Sequence, residues 1–121
     1  VVPGAKIDTK ITRRASRAVW GALLRAGIRI YEYSPTMLHS KYMVVDDVWF
    51  SLGSTNFDNR SFRLNDECNL NGLDSERAAV LAAIFAKDRA NAVEMTFEQW
   101  RQRPFTDKCL ERLSSLVSSQ V

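Results

Sequence analysis

HSKYMVVDDVWFSLGSTNFDNRSFRLNDE, residues 39–67, decides both the fold and the chemistry of this 121-residue chain. Tyr42-Met43-Val44-Val45 is an apolar, β-branched run, so residues 39–45 are expected to form a buried strand. Side chains alternate along a strand, which puts His39 and Lys41 on one face, a single pleat apart. Asp46 has the opposite parity and falls with Asp47 where a two-residue hairpin turn is expected. Val48 to Leu52 then reads as the returning strand. Gly53 ends it, and Ser54 and Asn56 share a parity on the loop that follows.

These residue types suit attack on a phosphodiester. Such an anion resists nucleophiles, so a site needs a nucleophile, cations or donors on the non-bridging oxygens, and an acid for the leaving alkoxide. Histidine, with an unperturbed pKa of about 6.5, can be nucleophile or acid. Lys41 is a point charge suited to a phosphate oxygen, and Ser54 and Asn56 add neutral donors. Glu67 could accept a proton from the second ring nitrogen of His39, fixing its tautomer and favouring the imidazolium. Asp46 faces away and reads as a structural partner for a basic group.

Composition sets the frame. Hydrophobic content of 45% and charged content of 26% are ordinary for a globular chain, and a net charge of +3 is compatible with an anionic substrate without selecting nucleic acid or membrane. The length fits one domain, 1–121. Cys68 and Cys109 are too few for a disulfide framework, and no His/Cys cluster suggests a metal, so neither metal nor cofactor is expected. No apolar run approaches the roughly 18 residues that span a bilayer. The chain opens on Val1 rather than Met, and Val1-Val2-Pro3-Gly4 reads as the end of a strand; both features are read as truncation just upstream.

Further along, Ile11 to Ala26 has helical periodicity. Ala15, Val19, Ala22, Leu23 and Ala26 form its expected apolar face, and Gly27 is the stop. Lys10, Arg13, Arg14 and Arg17 line the other side, expected as a solvated stripe, with a surface for anionic headgroups as the functional alternative. Ile28–Tyr33 alternates as a strand, ended by Pro35. Glu67–Leu73 is a further strand. Ser75 is the expected N-cap of a helix running from Arg77 to about Met95, apolar enough to be buried against a sheet. Thr96–Arg103 gives a short helix. Beyond Pro104, Phe105, Leu110, Leu113 and Leu116 form an apolar stripe expected to pack on its own domain, with a membrane interface, aided by Trp100, as the other reading. Helices interleaved with strands imply an α/β layering.

The series His39-x-Lys41-x(4)-Asp46-x(6)-Gly53-Ser54-x-Asn56 resembles the HKD motif of the phospholipase D superfamily. The segment from Gly53 to Glu67 is similar to GS-x-N-x-D-x-R-S-F-x-L-N-x-E of one branch, the bacterial cardiolipin synthases. Pro3-Gly4 with Asp8, Leu24, Ala26-Gly27-Ile28, Ile30 to Tyr33, and Trp100-x-x-Arg103-Pro104 resemble the same branch, so the likeness covers nearly the whole chain. It implies a mixed sheet flanked by helices, one half of a two-motif fold, with this chain as the C-terminal catalytic half.

The resemblance also implies roles. In the superfamily two motifs face one active site; one His becomes a phosphohistidine and the other is general acid and then base. By that likeness Lys41 and Asn56 bind phosphate, Glu67 orients His39, and Asp46 is structural. The N-terminal His is usually the nucleophile, which would make His39 the acid/base. The implied activity is transfer of a phosphatidyl group between two phosphatidylglycerols, releasing glycerol, in a membrane-associated bacterial parent. With one His in the chain, the second motif must come from the parent or from a homodimer partner. The alternatives are a phosphodiesterase or nuclease working as a homodimer, the one reading in which nucleic acid is the partner, and a catalytically silent fragment.

Overall fold

A computed structural model describes residues 1–4 and 10–118. Asp8 and the side chains of Lys10, Arg60 and Leu116 lie outside the described set. The chain divides into two compact units, residues 1–38 with 91–121, and residues 39–90.

The first unit is built on a three-stranded mixed sheet. β1 (Val2–Pro3) runs parallel to β2 (Ile30–Tyr33), and β2 pairs antiparallel with β6 (Ala92–Met95). The helix expected to run to about Met95 ends at Ala90. Instead all four residues of Ala92–Met95 find partners on β2, from Tyr33↔Ala92 to Ile30↔Met95. Ladder hydrogen bonds along an otherwise open edge outweigh a weak helical preference.

α1 (Lys10–Arg25) packs on α5 (Phe105–Ser118) and α4 (Phe97–Gln102). α1 closes in a Schellman motif: the Ile28 amide donates to Leu23 O at 3.0 Å and the Gly27 amide to Leu24 O at 3.1 Å, with Gly27 at φ 84°. The face that α1 buries is not the expected one. Val19 is 57% exposed, and Ala22 and Ala26 are exposed too, whereas Trp20 and Gly21 are buried and Arg13 and Arg17 half-buried. Arg13 and Arg17 of the basic stripe are therefore neither solvated nor free for headgroups. Arg13 Nη2 lies 2.5 Å from Glu32 Oε1, Arg17 Nη1 3.9 Å from the same oxygen, and Arg17 Nε 3.5 Å from Glu111 Oε1. Arg103 Nε completes the ladder at 2.7 Å from Glu111 Oε2. Charges leave water at tolerable cost when each faces its opposite.

α5 follows the same rule. Among its described side chains Glu111 is the buried one, while Phe105 (78%) and Leu113 (61%) are turned out. The helix does pack on its own domain, against α1, but with the Glu111 ion pairs on the inner face and Phe105 and Leu113 turned outward. α4 is entered as expected, through a capping box of Thr96 and Gln99.

The second unit holds an antiparallel sheet, β3 (Lys41–Val45), β4 (Trp49–Gly53) and β5 (Asn69–Leu73), with α3 (Ser75–Ala90) packed on β3 and β4. β3 is half-exposed rather than buried; Met43 and Val45 lie on its open face. On the other face Phe50 is buried, and burial with the charge of Asp88 on α3 pushes the Tyr42 hydroxyl pKa up. α3 is capped by Asp74, not Ser75: Asp74 Oδ1 accepts the Arg77 amide at 3.0 Å, and Asp74 O accepts the Ala78 amide. Ala78 is buried, but Val80, Ile84 and Phe85 are exposed, so α3 shows much of its apolar surface.

Candidate active site

The β3–β4 hairpin places the site at its open end. The turn is where the sequence puts it: Asp46 and Asp47 have φ of 52° and 55°, and the Val48 amide donates to Val45 O at 3.2 Å. Positive φ at both central positions is the geometry that matches strand twist in a tight hairpin, and Asp tolerates it better than most side chains. Val48 has no register partner on β3, so β4 resumes at Trp49 opposite Val45. Asp46 is thus at the far end of the hairpin from Lys41, exposed, and no basic side chain pairs with it among the described residues.

At the open end Lys41 lies opposite Gly53, and Gly53 opposite Asn69. A Cβ on Gly53 would fall 2.2 Å from Cys68 O and 2.0 Å from Asn69 Oδ1, so only glycine lets the end of β4 approach β5 this closely. The closeness fixes the next residue. The Ser54 amide donates to Cys68 O at 3.0 Å, the Cys68 amide donates to Ser54 Oγ at 3.0 Å, and the Thr55 amide donates to Asn69 Oδ1 at 3.3 Å. Ser54 is thereby held beside Glu67, the residue before Cys68.

His39 and Lys41 meet as the strand parity requires. Lys41 Nζ is 3.0 Å from His39 Nδ1 and donates to His39 O at 2.7 Å. An ammonium can only donate, so Nδ1 accepts and the ring proton sits on Nε2. His39 is exposed and Lys41 half-buried.

Glu67 is held elsewhere. Asn65 Nδ2 donates to Glu67 Oε1 at 3.3 Å. The hydroxyls of Ser54 and Ser61, then Asn65 and the Lys41 charge, keep the Glu67 pKa below the usual carboxylate value against a smaller opposing effect of burial. Ser61 is close enough to act on that carboxylate, yet its buried Oγ has no partner within hydrogen-bond geometry. The expected hydrogen bond from the His39 ring to Glu67 is not made among the described residues, and the Lys41 charge is the least of the influences on the carboxylate. Asn56 is exposed two residues past Ser54, and its carbonyl accepts the Asp58 amide at 2.9 Å. No hydrogen bond joins its side chain to His39 or Lys41 among the described residues.

Sequence reasoning missed the supports. The Cys68 backbone, Asn65 and Asn69 pin Ser54, Thr55 and Glu67, and Asp58 Oδ1 accepts the Ser61 amide at 2.8 Å. The R-S-F-x-L-N-x-E spacing was the available signal for Ser61 and Asn65. Among the described residues no three His, Cys, Asp or Glu side chains gather as metal ligands.

An exposed imidazole in contact with an ammonium, with a hydroxyl and a carboxylate at the same hairpin end, is a set of groups able to bind an anion and move a proton. The chain belongs to the phospholipase D-like family: the family model described as "Cardiolipin synthase, PLD-like domain" matches residues 1–89. A cardiolipin synthase of Geobacillus sp. (strain WCH70) is 41% identical over 111 residues, covering 92% of this chain and 22% of the relative. Cardiolipin synthase A of Proteus mirabilis is 34% identical over 118 residues, 98% of this chain and 24% of the relative. The chain thus spans less than a quarter of these curated relatives. Among solved structures, Nuc from Salmonella typhimurium, a phospholipase D family member, superposes with a TM-score of 0.66 at 22% identity over 74% of this chain and 60% of that one. That likeness supports the mixed α/β fold. No helix among the described residues is long and apolar enough to cross a membrane.

Proposed function

We propose that the chain is a catalytic half of a phospholipase D-type phosphatidyltransferase, making cardiolipin from two phosphatidylglycerols with release of glycerol. In this reading Lys41, Ser54 and Asn56 hold the phosphate, and no metal is needed because ammonium and imidazolium neutralise the transition state. A second imidazole, from the rest of a longer protein or from another copy, bonds to phosphorus and expels glycerol. The hydroxyl of the second phosphatidylglycerol then attacks phosphorus and frees that imidazole.

His39 is the acid and base of this scheme. The observation that carries the assignment is the Lys41–His39 contact: the ammonium lies at Nδ1, so Nε2 is the nitrogen left to face a leaving alkoxide, and when Lys41 passes to the phosphate a proton taken up at Nδ1 makes the ring an imidazolium able to give its Nε2 proton to that oxygen. Glu67, by the family likeness, is the residue that orients the ring. Asp46 has a structural part only, at the hairpin tip.

The test is His39→Ala in the longer protein, followed by chromatography of the lipids made in membranes supplied with phosphatidylglycerol. Loss of cardiolipin with the fold retained is expected, and continued synthesis rejects the reading. The rival reading, a nuclease or phosphodiesterase acting as a homodimer, predicts salt-sensitive DNA cleavage by the chain itself.

A further inference from the structure

The segment between the phosphate donors and Glu67 has its polarity inverted. Ser61 on α2 (Asn59–Arg63) is 5% exposed, while Phe57 is 86%, Phe62 58% and Leu64 71% exposed. These apolar groups are not core residues that failed to find a place. Asp58 fixes the segment by accepting the Ser61 amide on its side chain and the Phe62 amide on its carbonyl at 3.1 Å. The two phenyl rings brace each other edge to face, with centroids 5.4 Å apart, and so stand pre-set in solvent. Arg63 is exposed between Phe62 and Leu64.

Position connects this patch to the site. Phe57 follows Asn56 directly, so its Cα lies about 3.8 Å from that of a residue assigned to the phosphate in the reading above. In a phospholipid the phosphate is joined to its acyl chains through one three-carbon glycerol. A site that takes the phosphate must therefore open onto something apolar within a few atoms. Apolar rings with an interspersed guanidinium are also what an anionic lipid–water boundary accommodates, the rings among acyl chains and the cation at the phosphates.

We propose that Phe57, Phe62 and Leu64 form the surface by which the site enters an anionic phospholipid layer, the two rings seated against acyl chains while the phosphate lies at His39 and Lys41. This rests on the phosphate-site reading above and adds to it the place and orientation of the lipid.

The experiment is flotation of the whole chain with vesicles of phosphatidylglycerol or of phosphatidylcholine, for the wild type and the double variant Phe57→Ser/Phe62→Ser, with circular dichroism to confirm that both fold. Wild-type binding is expected to favour phosphatidylglycerol. The double variant should lose at least about tenfold in partition, as when a phenyl ring is withdrawn from an apolar phase. Undiminished binding by the variant overturns the proposal. So does self-association of the wild type that the variant lacks, with no vesicle binding by either, since the face would then be a contact between copies. The phosphate site is read separately, by the ring NMR signals of His39 on adding water-soluble glycerophosphoglycerol. No response there, with phenyl-dependent vesicle binding intact, would refute the site reading and leave the surface standing.

Discussion

Glu111→Gln is the perturbation that most sharply tests how the first unit is held. The Glu111 side chain is 3% exposed, receives Arg103 Nε at 2.7 Å, and faces Arg17 Nε at 3.5 Å. Gln keeps the shape and removes the charge. Arg103 retains Trp100 O and the Trp100 ring 3.9 Å from its guanidinium carbon, and Arg17 retains Glu32 at 3.9 Å. Arg17 Nε, buried with no hydrogen-bond partner, loses its main compensation. Breaking a buried pair from one side costs about 3–5 kcal/mol, and the residual partners place this case near 3. At about 2.1 cal/mol/K of unfolding entropy per residue, that is a fall of about 12 °C in Tm. Thermal and urea unfolding by circular dichroism measure it. Moderate salt should change the difference little, because the pair is shielded from the ionic atmosphere. A loss under about 1 kcal/mol, the range of exposed ion pairs, would refute the reasoning.

Three further outcomes follow from the geometry. Gly21→Ala would set a Cβ 2.2 Å from the Trp100 ring, and overpacking of this kind should cost about 1–3 kcal/mol in urea unfolding, with Trp fluorescence displaced. Asp47→Gly relieves a positive φ and should raise the unfolding free energy from urea titration by about 0.5 kcal/mol, leaving the Lys41–His39 contact unchanged by NMR; a destabilised hairpin would contradict the turn assignment. Ser54→Ala removes the largest influence lowering the Glu67 pKa. Because that carboxyl titrates below its ordinary 4.5 when folded, its contribution is complete above 4.5 and vanishes as pH falls through the folded value. In the variant, NMR titration should show Glu67 protonating at higher pH, and the acid-linked loss of stability should be smaller and complete at a higher pH.

The hairpin was legible because its determinants are local. Two-residue alternation put Lys41 beside His39, and an Asp-Asp pair between β-branched runs marked the turn. Glu67 was harder to place. Spacing names the residue, but whether its carboxylate reaches His39 or is held by Asn65 depends on how closely β4 approaches β5 at Gly53, a tertiary quantity. The inward face of α1 was misread for a related reason. Hydrophobic periodicity weighs Val19 and Leu23 above Arg13 and Arg17, yet Glu32 and Glu111, one on β2 and one on α5, make the arginine face the one that can be buried. The end of α3 failed likewise: nothing local in Ala92–Met95 reveals that β2 offers it a ladder.

The site's chemistry sets a requirement of its own. A transfer through a phosphohistidine uses one imidazole with a free lone pair at phosphorus and another carrying a proton for the departing oxygen. Both cannot be the same ring at the same moment, and the chain contains a single histidine. In our reading Lys41 decides which part His39 takes. Its ammonium cannot accept a proton, so while it binds Nδ1 the ring's remaining valence is an N–H donor. When a phosphate draws that ammonium onto a non-bridging oxygen, Nδ1 is released and the ring can take up a second proton, stabilised by the anion it faces. Substrate binding and acid strength would then be coupled through one lysine. On that logic Lys41→Met should abolish transfer in the longer protein even with phosphate binding partly kept by Ser54 and Asn56, whereas Lys41→Arg should bind the anion and still transfer slowly. A Lys41→Met enzyme whose kcat is preserved and only KM raised would reduce the lysine to a phosphate ligand.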